Sequence, residues 1–306
     1  MSASSIQPDP LTIGRIPKTR FAFTPNPAAT FRVRAARFEA LAQAKRLRPY
    51  LLFMAGIARI QASLADSLSP VEPIPADAIE RAREGAMPPI DRRAMAGTAA
   101  YRETLSQFLE AVGVLEMPAA AAAALAALRA AGDEKTGEIS ANVLSDTLTG
   151  ENLAEHLYVA AATQVHAVCL AATLDAERLV PVHVGLCPAC GGKPVASVVT
   201  GVHGVEGVRY AVCACCATSW NEVRVKCLAC GSTKGIGYRA VEAGEEDATV
   251  KAEVCDGCQS WMKILYQNKN PSLDAVADDV ASLGLDLLMK DTGYRRAGFH
   301  PFLAGY

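Results

Sequence analysis

The stretch VRYAVCACCATSWNEVRVKCLAC, residues 208–230, holds five of the chain's ten cysteines. Sulfurs at this density must pair, bind an ion or pack, and the choice decides the fold. Outward from this stretch there are four C-x-x-C pairs: Cys187/Cys190, Cys213/Cys216, Cys227/Cys230 and Cys255/Cys258. Two sulfurs on one tight turn can reach the same ion, and two such turns complete a tetrahedron. Eight cysteines therefore predict two four-sulfur sites. The bland reading of a cysteine, a small buried hydrophobe, does not account for eight in register.

The register comes from an internal repeat. CPACG at 187–191 recurs 40 residues later as CLACG at 227–231, and RYAVC at 209–213 recurs 42 residues later as KAEVC at 251–255. Trp220 follows Cys216 by four residues, and Trp261 follows Cys258 by three. The duplicated unit is knuckle, hairpin, knuckle, tryptophan. It pairs 187/190 with 213/216 and 227/230 with 255/258, leaving hairpins of 22 and 24 residues, slightly longer than zinc-type ribbons carry. The alternative joins the two middle knuckles to each other and the two outer ones to each other. Gly191 and Gly231 follow the second cysteine of each first knuckle and permit a positive φ that turns N–H groups toward sulfur. Four thiolates suit zinc and a single iron equally. Cys215, between two ligands, is expected to point away from the ion as a packing thiol, a reactive thiol being the alternative. Cys169, one turn after His166, reads as a core position rather than half of a ligand pair. His156, His183 and His203 are not needed if cysteine supplies all eight ligands.

Composition divides the chain near residue 181: nine cysteines lie between 187 and 258, and the first 180 residues hold only Cys169. The first part is rich in Ala and Leu and reads as helical. It shows helical spacing over 31–48, a fresh start at Pro49 and a proline-rich connector, DSLSPVEPIPAD. MPAAAAAALAALRAAG has Pro118 at its opening and Gly132 at its close, and a helix after Thr149 carries Leu153, Leu157, Ala161 and Val168 at one period. Residues 181–266 change to short Val- and Tyr-rich runs, PVASVV, VRYAVC, NEVRVKC, GIGYRAV and ATVKAEVC, separated by turns such as TGVHGVEG and EAGEEDA. After Pro271 a helix capped by Ser272 is expected to bury Leu273, Val276, Val280, Leu283 and Leu287, with Asp274, Asp278, Asp279 and Asp286 mostly off that face. The expected fold is α+β: a flexible tail over 1–28, a helical domain over 29–180, tandem four-cysteine ribbons over 181–222 and 223–268, and a C-terminal helix and tail over 269–306.

The bulk numbers describe an ordinary globular chain, with 51% hydrophobic residues, 20% charged residues and a net charge of −2. Residues 1–60 carry ten Lys/Arg against Asp9 and Glu39, a basic face that is solvated or serves an anionic partner. Residues 181–266 balance eight Lys/Arg against eight Asp/Glu, which argues against nucleic acid as the partner of the cysteine region. The polar N-terminus shows no signal segment. The most apolar run, YLLFMAGIARIQASL, is broken by Arg59 and is shorter than the ~20 residues of a membrane span. The expected compartment is the reducing cytoplasm, where C-x-x-C pairs bind metal or do redox work. No phosphate-cradling loop, H-E-x-x-H or G-x-S-x-G is present, and a site closed by four cysteines has no open position for substrate.

CPACGGKPVASVV, RYAVCACCATSW, VRVKCLACGS, KAEVCDGCQSWMKILYQ, VADDVASLGLDLLM and the closing PFL together resemble the FdhE family, the formate dehydrogenase accessory (formation) proteins. The resemblance is dense over residues 183–303, and the helical region is compatible with it. It implies a cytoplasmic protein that is not an enzyme. Such a factor serves the maturation or assembly of a respiratory formate dehydrogenase and contacts its molybdenum- and iron–sulfur-containing catalytic subunit. It also implies rubredoxin-like iron centres on Cys187, Cys190, Cys213, Cys216, Cys227, Cys230, Cys255 and Cys258, with zinc as the alternative ion. Two features depart from the family: the extra Cys215, and His300 in FHPFL where the family usually has Asn. The other functional readings are a rubredoxin-like electron-transfer protein and, disfavoured by charge, a zinc-ribbon nucleic-acid binder. A homo-oligomer is left open, and no membrane insertion is expected.

Overall fold

The structure, a computed structural model, describes residues 19–43, 47–68, 71–147, 152–202, 205–241 and 248–303. A two-residue strand, β1 (Ala22–Phe23), precedes the helices α1 (Pro27–Ala42), α2 (Arg48–Ser67), α3 (Ala76–Glu84), α4 (Arg92–Ala96), α5 (Ala99–Val112), α6 (Ala119–Ala130), α7 (Asp133–Leu144) and α8 (Leu153–Ala172). Six strands follow: β2 (Pro194–Val199), β3 (Arg209–Cys213), β4 (Ser219–Glu222), β5 (Ile236–Arg239), β6 (Val250–Cys255) and β7 (Ser260–Tyr266). Two short helices, α9 (Ala277–Ala281) and α10 (Leu283–Lys290), and a last strand, β8 (Arg295–Arg296), complete the order. The α+β reading holds. Thr149, His203 and most of the EAGEEDA turn lie outside the described residues, as do Arg15, Lys18, Lys45 and Arg46 of the basic first fifth.

The helical part is organised around α8. Its residues Tyr158 to Val168 are all buried, and it packs against α1, α2, α5, α6 and α7. A helix apolar all round must be enclosed, and each large side chain buried contributes on the order of 1.5–3 kcal/mol. The local stops are as expected. Pro49 sits in the first turn of α2, and Pro118 is the N-cap of α6.

Each cysteine repeat is an antiparallel meander, β2–β3–β4 and then β5–β6–β7. The two are not separate beads. β2 and β7 pair in parallel with Ser197 opposite Ile264, giving one sheet in the order β1–β4–β3–β2–β7–β6–β5, with β8 added on β7. β2 is buried along its whole length, as expected of a strand covered on both faces.

Four expectations are corrected. The tail over 1–28 is structured at its end: Ala22–Phe23 pairs with Ser219–Trp220, and Asn26 caps α1 by accepting the Ala29 N–H at 3.2 Å. NEVRVKC is not a strand throughout, because β4 stops at Glu222. Val223 and Val225 are exposed with no facing layer, and the turn is held by Arg209, which donates to the carbonyls of Arg224 (3.3 Å) and Lys226 (2.9 Å). β7 was not among the strands read from sequence, because Lys263 interrupts its apolar run. That lysine is fully buried, with Nζ 2.5 Å from Asp286 and 2.7 Å from Asp279. The single C-terminal helix is instead two, broken at Ser282, and Ser272 caps neither. Asp274 accepts the N–H groups of Val276 (3.0 Å) and Ala277 (2.7 Å), whereas Leu287 is exposed. Asp278, Asp279 and Asp286 are buried because Arg37, Lys263 and Arg296 meet them.

Part of the basic helical face is used inside the molecule, whereas Arg32 and Arg59 stay exposed beside Asp66 and Glu39. Arg34 is buried and donates to Gln164 at 3.1 Å, and Arg37 binds Asp278 at 2.6 Å, so α1 is tied to α8 and α9.

Candidate metal centres

Each knuckle is a short turn closed by its own backbone. The Cys187 N–H donates to Gly192 O at 2.9 Å, Cys213 to Thr218 O at 3.0 Å, and Cys227 to Ser232 O at 2.8 Å. Cys255 pairs across the ladder with Ser260. In all four turns the residue after the second cysteine is left-handed: Gly191 (φ 69°), Ala217 (56°), Gly231 (77°) and Gln259 (52°). Glycine adopts this conformation without penalty, whereas Ala217 and Gln259 hold it at a cost of order 1 kcal/mol each. The same conformation in all four knuckles argues that bringing two sulfurs together offsets that cost.

The sulfurs fall into two groups, Cys187/Cys190/Cys213/Cys216 and Cys227/Cys230/Cys255/Cys258, each with all sulfurs within 4.8 Å of one another. The joined middle knuckles of the alternative pairing are not what the chain forms. Across the first group Cys187 lies 3.6 Å from Cys216 and Cys190 3.5 Å from Cys213; across the second, the distances are 3.7 Å (Cys227–Cys258) and 3.8 Å (Cys230–Cys255). Four thiolates at ~2.3 Å from one tetrahedral ion stand about 3.8 Å apart, whereas a disulfide requires ~2.05 Å. The donor set and its spacing therefore fit a single ion in each group. Backbone N–H groups already point at sulfur: Cys215 and Cys216 donate to Cys213 Sγ at 3.4 Å, and Ala229 to Cys227 Sγ at 3.3 Å.

The groups differ in surroundings. The first is buried throughout, while in the second Cys230 is exposed and Cys258 half-buried. In the first, thiol hydrogen bonds from Cys187 and Cys213 bring Cys190 down to about 6. In the second, burial is outweighed by the N–H groups of Cys230 and Ala229, and Cys227 falls to about 7. Each group thus offers one sulfur that is anionic near neutral pH, the form that binds metal.

The first group is held by the helical layer. Gln164 donates to Ala214 O at 2.7 Å, and Ile90 N–H to Ala189 O at 3.0 Å. A groove of about 430 Å³, lined by Met87, Pro88, Ile90, Arg92, Arg93 and Cys190 among others, runs up to this group. Cys215 is buried beside the first group. The neighbouring Cys190 sulfur and burial together lift its thiol well above the ordinary range. It stands outside the set of four mutually close sulfurs, so it flanks the site rather than completing it.

The remaining candidates are structural. His166 shares a hydrogen bond with Thr104 at 3.2 Å, and Cys169 is half-buried on the same helix. His156 Nδ1 meets Asn152 O at 2.7 Å, and His183 Nδ1 meets Val184 O at 3.1 Å. Arg92 and Asp146, from the helical layer, stand at the rim of the first group and were missed by sequence reasoning. Among the described residues no helix is long and apolar enough to cross a membrane.

Comparison with known proteins places this arrangement. Three consecutive family models match: FdhE, N-terminal, over residues 19–184; FdhE, central domain, over 186–224; and FdhE, C-terminal domain, over 225–303. A protein FdhE homolog from Rhizobium meliloti (strain 1021) is 67% identical over 306 residues, covering all of both chains. One from Proteus mirabilis (strain HI4320) is 31% identical over 97% of this chain and 94% of that one. The crystal structure of the FdhE protein from Pseudomonas aeruginosa superposes with a TM-score of 0.83 at 31% identity, covering 93% of this chain and 99% of that one. A chain matched from residue 19 to residue 303 by FdhE models, and folded as a crystallised FdhE is folded, belongs to the FdhE family.

Proposed function

We propose that this chain is a non-catalytic accessory factor for a respiratory formate dehydrogenase, acting in the cytoplasm on its molybdenum- and iron–sulfur-containing catalytic subunit. Membership of the FdhE family supports the formate dehydrogenase connection. The observation that carries the non-catalytic reading is the closure of both sites: four cysteines in tetrahedral spacing leave no coordination position for a substrate. Cys187, Cys190, Cys213 and Cys216 hold one ion, and Cys227, Cys230, Cys255 and Cys258 the other. Iron is favoured by the family resemblance and zinc is the alternative. Zinc would brace the fold, and iron would add a one-electron couple. The test is deletion of the gene in its host, followed by complementation. Loss of formate dehydrogenase activity together with failure of subunit assembly, both restored by the wild-type gene, is expected. Unchanged activity and assembly would overturn the reading.

A second reading, rubredoxin-like electron transfer, is favoured by the exposure of Cys230, which puts the edge of one centre within reach of a donor. Protein purified with a ferric tetrathiolate spectrum that bleaches and recovers in redox cycles supports it. Colourless protein with two equivalents of zinc per chain rules it out.

A further inference from the structure

Arg92 reaches from α4 in the helical layer to the 187–192 knuckle. Its side chain is 13% exposed, and its two terminal nitrogens donate to the two oxygens of Asp146 at 2.8 and 3.0 Å. Asp146 is buried too, and it also accepts the Lys193 N–H at 3.1 Å. Gly192 measures how closely the arginine approaches. A methyl group on it would lie 3.0 Å from Arg92 Nη1, 3.3 Å from Cys213 Sγ and 3.4 Å from Cys190 Sγ. The guanidinium and two of the four sulfurs therefore flank one methyl-sized gap.

Among the described residues the second centre has no such arrangement. Its matching residue, Ser232, carries a side chain that bonds the Lys234 backbone at 3.1 Å. Lys226, beside that knuckle, is about a quarter exposed and pairs with Glu222 at 3.0 Å. Four thiolates around a divalent ion carry two net negative charges, and a buried centre has no water to stabilise them. A clamped cation across that gap acts where the dielectric is low. Burial opposes the charge on Arg92, but Asp146, with Cys215 and Cys190 behind it, holds the guanidinium protonated above its ordinary range.

We propose that Arg92, held in place by Asp146, is the counter-charge of the first four-sulfur centre and makes it the retentive one, leaving the exposed second centre to release its ion first. This rests on the reading that both clusters hold a metal. Arg92 ligates nothing and acts through the sulfurs, as a positioning residue.

The experiment loads the full chain with zinc and follows release to excess 4-(2-pyridylazo)resorcinol. The wild type should give one fast and one slow equivalent, with Cys227→Ser removing the fast and Cys187→Ser the slow. Arg92→Gln should speed the slow phase about tenfold or more, the scale of lost outer-shell support, and leave the fast phase unchanged. Arg92→Lys, which keeps the charge, should retain most of the slow release. A packing role is separated by Arg92→Gln with Asp146→Asn, which removes the orphaned carboxylate: a lost counter-charge leaves release fast, whereas relief of packing restores it. An unchanged slow phase in Arg92→Gln, a restored one in the double variant, or a slow phase belonging to the second centre overturns the proposal alone. A wild-type chain that takes up no zinc overturns the metal reading beneath it as well.

Discussion

The His300 side chain is 1% exposed and lies 4.0 Å from the Asp279 carboxylate, with Nε2 3.3 Å from Val276 O and Nδ1 accepting the Phe302 N–H at 3.1 Å. Burial pushes its imidazole down to about 4, although Asp279 pulls the other way. The unfolded chain takes up this proton near pH 6.5 and the folded chain refuses it until about 4, so stability is lost as the pH drops through that window, by about 3 kcal/mol at the acid end. His300→Asn removes that titration and should flatten the loss. Urea unfolding of both proteins at pH 7 and pH 4.5 checks it: the gap in stability must move in favour of Asn at the lower pH. The thiolates and the raised carboxyls of Asp286 and Glu253 titrate in both proteins and cancel in the difference. Arg209 makes a second prediction at this scale. It is fully buried, pairs with Glu253 at 2.9 Å and so stitches β3 of one repeat to β6 of the other. Arg209→Met leaves a buried carboxylate alone and should cost about 3–5 kcal/mol, most of it recovered when Glu253→Gln is added. An equal loss in the single and double variants would contradict this account.

At the scale of elements, the two knuckle pairs are not equivalent braces. A small ribbon cannot bury enough surface on its own, and an ion in its four-cysteine site supplies on the order of 10 kcal/mol toward folding. The first repeat sits mid-sheet, between β1 and β7, and against α8 through Gln164 and Ala214. The second repeat ends in the edge strand β5. Cys227→Ser should therefore raise hydrogen exchange mainly over residues 227–258, whereas Cys187→Ser should raise it over β2, β7 and the facing turns of α8 as well. Equal, strictly local effects of the two substitutions would show that the parallel β2–β7 join does not transmit stability. That join could not be read from the sequence. Meanders announce themselves by alternation and turn residues, but nothing in PVASVV or SWMKILY says which two outer strands meet.

For the whole molecule, what was legible followed from spacing and what was hidden followed from tertiary neighbours. The repeat offsets gave both groups of four sulfurs, because ligand spacing within a knuckle is a local property of the turn. The Asp residues after Pro271 read as lying mostly off the apolar face, and their burial was hidden because the cations that meet them, Arg37, Lys263 and Arg296, come from three different elements. Arg92 and Asp146 were invisible because they lie far from the cysteines in sequence and meet them only through folding. The central claim is that these eight sulfurs close around two ions. X-ray absorption at the metal edge of protein purified from its host, with metal content measured on the same sample, tests it most directly. Two ions per chain, each with a first shell of four sulfurs at about 2.3 Å, is the predicted result. Nitrogen or oxygen ligands in that shell, or fewer than two ions with the cysteines oxidised in pairs, would contradict it.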